Sequence, residues 1–68
     1  MENLFKSKLK ELRTSRNLTQ KNLAHQLNLS QSAIARWETG DYTPSMECII
    51  KLAKFFNVST DYLLGLDD

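Results

Sequence analysis

Apolar positions along the chain recur at spacings of three and four, and no stretch alternates with a period of two. This is the signature of helices that each bury one face. Phe5, Leu9 and Leu12 lie on one stripe, predicting a first helix over about 4–16. Leu23, Ala24 and Leu27 mark a second over about 20–27, and Ala33, Ile34 and Trp37 a third over about 31–39. Ile49, Leu52, Ala53 and Phe56 mark a fourth over about 45–56. A short fifth, about 60–64, holds Asp61 in its first turn, where a negative charge faces the positive end of the helix.

The breaks between helices share one grammar: Asn17-Leu18-Thr19, Asn28-Leu29-Ser30 and Asn57-Val58-Ser59. Asparagine tolerates the left-handed conformation that ends a helix. The apolar residue turns inward, and the hydroxyl caps the next helix by accepting an orphan N–H. These triplets also match the Asn-x-Ser/Thr glycosylation pattern, but capping explains their spacing better, since Met1-Glu2-Asn3 begins no secretion signal. Gly40 stops the third helix, and Pro44 keeps Thr43 out of helical geometry, so Asp41-Tyr42-Thr43-Pro44 is a loop.

The expected product is one all-α, five-helix domain. Its 68 residues are 41% hydrophobic, which suffices for one small core. The single cysteine, Cys48, rules out an internal disulfide framework and is expected to be an inert helix residue. Without staples or a metal-ligand cluster, a domain this size relies on tight helix packing, alone or with a second copy. No apolar run reaches the length of a membrane span. The expected setting is cytoplasmic, with no membrane partner.

The net charge of +1 conceals a split. Residues 1–36 carry seven basic groups against two acidic ones, for +5, and residues 37–68 carry two against six, for −4. Such asymmetry suits a polyanionic partner. Lys6, Lys8 and Lys10 alternate and so do not share one helix face.

The link between the second and third helices is only about three residues, which makes the pair a helix-turn-helix at about 20–39. Ala24 permits close approach where they cross, Leu29 anchors the turn, and Ile34 and Trp37 pin the third helix to the body. Its other face is Gln31, Ser32, Ala35, Arg36 and Thr39. Gln and Arg can make paired hydrogen bonds to adenine and guanine edges in a major groove.

Taken in order, Leu12-Arg13, Leu18-Thr19-Gln20, Leu23-Ala24, Leu27, Ser30-Gln31-Ser32, Ile34, Trp37-Glu38, Gly40, Pro44, Leu52-Ala53, Phe56-x-Val58-Ser59 and Asp61-Tyr62-Leu63-Leu64-Gly65 resemble the lambda-repressor-like, XRE/Cro-type helix-turn-helix domain. The resemblance covers about residues 4–65. It implies DNA base contacts from Gln31, Ser32 and Arg36, and phosphate contacts from Gln20, Thr39, Tyr42 and Thr43. It also implies a structural ion pair between Arg13 and Glu38. Two departures stand out: Asn28 replaces a frequent glycine in the turn, and the loop after the third helix lacks the basic residues that some relatives carry.

The expected function is a sequence-specific transcriptional regulator, a repressor, that binds double-stranded DNA as a homodimer on a palindromic operator. Ile50, Phe55, Leu64 and Leu66 are the candidate dimer seam. The alternatives are the DNA-binding half of a longer regulator, an antitoxin, or a protein–protein adaptor on the same fold. Catalysis has nothing to stand on: one His (His25) and one Cys make no usual metal set, and there is no Gly-rich phosphate loop. No cofactor, metal or small-molecule ligand is expected.

Overall fold

Apart from the start of α1, where Leu4 supplies no side-chain cap, the helix ends are written locally, as the computed structural model, which describes residues 4–66, bears out. The helices are α1 (Phe5–Ser15), α2 (Gln20–Leu27), α3 (Gln31–Thr39), α4 (Met46–Phe56) and α5 (Thr60–Leu63). Asn17, Asn28 and Asn57 all take the left-handed conformation, with φ of 58°, 58° and 57°. Behind each, the next residue reaches back five positions: the N–H groups of Leu18, Leu29 and Val58 donate to the carbonyls of Arg13, Ala24 and Ala53. Gly40 and Gly65 close α3 and α5 in the same way, with Asp41 N–H on Arg36 and Leu66 N–H on Asp61. The orphan carbonyls of each last turn are thereby satisfied. At Gly65, φ is +78° and a Cβ would sit 2.4 Å from Leu4 Cβ, so both conformation and space demand glycine there.

The starts are equally explicit. The side chains of Thr19, Ser30, Ser45 and Ser59 accept from the backbone N–H groups of Asn22, Ala33, Cys48 and Tyr62. Ser45 is extended, so α4 begins one residue later than its periodicity suggests. At α2 the cap is reciprocal: Asn22 Oδ1 accepts from Thr19 N–H at 3.3 Å.

The five helices close over a core of Phe5, Leu9, Leu23, Ala24, Leu27, Ile34, Trp37, Ile49, Leu52, Ala53, Phe56 and Leu63. Leu12, Leu18, Leu29, Ala33, Cys48 and Val58 pack against it while half-buried. Cys48 therefore belongs to the packed side of α4. Lys8 Nζ lies 4.5 Å from the Tyr62 ring centre, joining α1 to α5 by a cation–π contact. Among the described residues, no helix is long and apolar enough to cross a membrane.

Candidate nucleic-acid interface

α3 is held by its inner face, which leaves the outer one free. Ile34 and Trp37 are buried, whereas Gln31, Ser32, Arg36 and Thr39 are exposed and Ala35 is half-exposed. Ala24 of α2 is buried at the contact between the two helices. The turn between them is only Asn28-Leu29-Ser30. The left-handed Asn28 makes it tight, and the Leu29-to-Ala24 hydrogen bond of 2.8 Å locks it.

The far end of α3 is fixed by a charged network. Glu38 takes Arg13 Nε on Oε2 at 2.6 Å and Arg13 Nη2 on Oε1 at 3.0 Å, a bidentate pair between α1 and α3. The side chains are only 11% and 5% exposed. Arg13 Nη1 also donates to the Leu18 carbonyl at 2.7 Å, tying in the chain that leads to α2. The hydrogen bond to Glu38 raises the Arg13 pKa above its ordinary value, against the opposing effect of desolvation. Because the folded value is raised, this contribution is complete below the ordinary arginine range and is lost only above it. It is therefore constant across neutral pH.

Gln20 joins the same network: its Nε2 donates to Glu38 Oε1 at 3.1 Å. The amide keeps a second N–H, on the residue that opens α2, where the backbone N–H groups of Gln20 and Lys21 have no intrahelical acceptor. Helix geometry gives those N–H groups a partial positive field suited to phosphate.

The loop after α3 folds back onto its outer face. Three donors converge on the Arg36 carbonyl: Gly40 N–H at 3.1 Å, Asp41 N–H at 3.1 Å and Thr39 Oγ1 at 3.0 Å. Gly40, at φ +87°, makes the reversal possible. Ser32, Arg36, Tyr42 and Thr43 then line one concave notch with Pro44 and Ser45. Arg36 Cζ stands 5.2 Å from the Tyr42 ring centre.

The helix-turn-helix family model matches residues 9–63, most of the chain. The chain belongs to the lambda-repressor-like helix-turn-helix family. It is 50% identical over 61 residues to the HTH-type transcriptional activator BcrR of Enterococcus faecalis, covering 90% of this chain but only 30% of that protein. It is 41% identical over 64 residues to an HTH-type transcriptional regulator of Methanocaldococcus jannaschii, covering 94% of this chain and 97% of the relative. The P22 c2 repressor, solved in complex with a synthetic operator, superposes with a TM-score of 0.87 at 29% identity, covering 97% of this chain and all of that one. The chain thus spans less than a third of the Enterococcus activator and nearly all of the archaeal relative.

In this lambda-repressor-like frame the expected residues fall into three groups. Gln31, Ser32 and Arg36 share the open face of α3. Gln20, through its bond to Glu38, lies toward the C-terminal end of α3, and Thr39, Tyr42 and Thr43 follow from that same end. Arg13 and Glu38 pair beneath it. The expected seam is mixed in character: Ile50 and Leu66 are 41% and 70% exposed, whereas Phe55 and Leu64 are half-buried against the core. The Phe55 ring meets Phe56 edge-on at 5.0 Å, and Arg16 lies over both rings.

The pattern of residues did not reveal the link from Gln20 to Glu38 or the cation–π contact of Arg36 with Tyr42. The hydroxyl cap at Thr19 was legible, whereas the return bond from Thr19 N–H to Asn22 Oδ1 was not.

Replacing Gln20 with alanine removes one of three bonds to Glu38 and the amide expected to meet a phosphate. Operator and scrambled duplex lose affinity by similar factors, because phosphate contacts carry no sequence information. The slope of affinity with salt barely moves, since the residue is uncharged. A small loss of stability, about 1 kcal/mol, accompanies it. Titration of the two duplexes at several salt concentrations checks this, and a changed base preference at one position would refute the phosphate role.

Proposed function

We propose that this chain is a sequence-specific, double-stranded-DNA-binding transcriptional regulator that inserts α3 into the major groove. The observation that carries this is the outer face of α3. It is exposed, built from Gln31, Ser32 and Arg36, and braced from behind by Ile34, Trp37 and the Arg13–Glu38 pair. Phosphate donors border it: the start of α2 with Gln20, and the loop with Thr39 and Thr43. In this arrangement the flanking contacts set register while the face reads base edges. Nothing in this role calls for catalysis or a cofactor, and it places the protein with the DNA in the cytoplasm.

α3 has nine residues and extends about 13 Å, the rise of about four base pairs. So short a footprint discriminates little, which favours a two-fold dimer on a palindrome with half-sites roughly 34 Å apart. Ile50, Phe55, Leu64 and Leu66 form the seam in this proposal. Leu66→Glu then weakens operator binding and shifts sedimentation toward monomer, with an unchanged thermal melt, because Leu66 lies outside the core. One chain per operator at saturation would remove the two-fold arrangement.

A domain of this kind acts first by occupancy, which represses wherever the operator overlaps a promoter. The other sign needs only an additional contact with the transcription machinery, and the same way of reading DNA serves both. Selection from a random duplex pool, followed by titration against salt, tests the proposal. The expected result is an enriched palindrome bound with steep salt dependence. An adaptor on the same fold would enrich no sequence.

A further inference from the structure

Arg36 is exposed on the reading face and has no acidic partner among the described residues. A free arginine of this kind would sample many rotamers and lose them all on meeting a base. In this structure it is not free. The loop reversal at Gly40 brings Tyr42 back over α3, and the guanidinium lies against the ring at 5.2 Å. This is within the range of a cation–π contact. The backbone supports it from beneath, because the three donors on the Arg36 carbonyl fix the turn that carries Tyr42.

We infer that Tyr42 is a positioning residue for base recognition: its ring holds the Arg36 guanidinium by one face and leaves the N–H fork directed outward to a guanine edge. The inference rests on the proposed role of α3 in the major groove. The physical basis is the shape of the guanidinium. It is planar, it stacks through its faces, and it donates only from its edges. Stacking therefore occupies none of the donors that read O6 and N7 of guanine. Part of the ordering cost is met before DNA arrives, so the contact raises discrimination as well as affinity. The ring is 57% exposed, and burying it against α3 alone gains little. Thr43 and Ser32 border the same notch.

This role differs from a phosphate contact through the tyrosine hydroxyl, and two substitutions separate them. Tyr42→Phe keeps the ring and removes the hydroxyl, whereas Tyr42→Leu keeps bulk and removes the π-face. The probes are the duplex enriched from a random pool, its variants at each base pair, and a scrambled duplex, all at one salt concentration. Tyr42→Leu is expected to lower affinity about two- to five-fold per half-site, or about 4- to 25-fold on a two-fold operator. The loss falls on the base pair whose preference Arg36→Ala also relaxes, and scrambled-duplex affinity is unchanged. Tyr42→Phe stays within two-fold of the parent (roughly the lower bound of a cation–π contact). In an Arg36→Ala background, Tyr42→Leu adds nothing, since the residue acts only through the arginine. Equal losses for Tyr42→Phe and Tyr42→Leu on operator and scrambled duplex alike would overturn the inference in favour of a phosphate contact. Additive losses in the double variant would overturn it as well. An enriched operator whose Arg36-dependent preference ignores Tyr42→Leu defeats this inference alone. A pool that enriches nothing defeats the DNA-binding proposal, and this inference with it.

Discussion

Glu38→Ala costs about 3–5 kcal/mol, because it strands the Arg13 guanidinium in a nearly buried site. The loss is large for this molecule. A chain of 68 residues has roughly 3–10 kcal/mol of total stability. Three hydrogen bonds vanish with the carboxylate: two from Arg13 and one from Gln20. With them go the tie between α1 and α3 and the inward hold on Gln20. The double replacement Arg13→Met with Glu38→Leu recovers most of the loss, since an apolar pair of similar volume avoids the stranded charge. Urea unfolding of the three proteins measures this. A single variant that loses under about 1 kcal/mol would place the pair with ordinary surface ion pairs instead.

The second large effect falls on function rather than stability. Arg36→Ala leaves the core intact, because Arg36 is exposed and Ile34 and Trp37 carry the packing of α3. Operator affinity falls by about 1–3 kcal/mol, the worth of one bidentate base contact. The preference at one base pair per half-site relaxes while the others stand. If the cation also neutralises a nearby phosphate, the salt slope falls by up to about one per half-site. Titration against operator variants separates the two contributions: a base contact is lost at one position, and a phosphate contact at all of them.

Local features were legible in the sequence and distant ones were not. Asn17, Asn28 and Asn57 announce left-handed ends because the capping side chains and backbone groups lie within six residues of one another. The face of α3 was legible because helical period alone separates Ile34 and Trp37 from Gln31, Ser32 and Arg36. The Arg13–Glu38 pair came from family resemblance, since nothing in either residue's neighbourhood points to a partner 25 positions away. The inward turn of Gln20 lies beyond both: it depends on how α1 and α3 place Glu38 beneath the start of α2. Phe55 was read as surplus apolar surface because it falls off the main stripe of α4. The structure gives it Phe56, and Arg16 from the end of α1, as neighbours. Its hydrophobicity has an intramolecular use whether or not a second copy meets it.

The central claim is that specificity resides in the exposed face of α3, and one ratio tests it most directly. Affinity for the selected operator divided by affinity for scrambled duplex, at fixed salt, is measured for the parent and for Gln31→Ala combined with Arg36→Ala. The account predicts a folded double variant whose ratio falls to near one, while scrambled-duplex affinity persists through the phosphate contacts. A double variant that keeps the parental ratio would contradict it and place specificity in DNA shape or in another part of the chain.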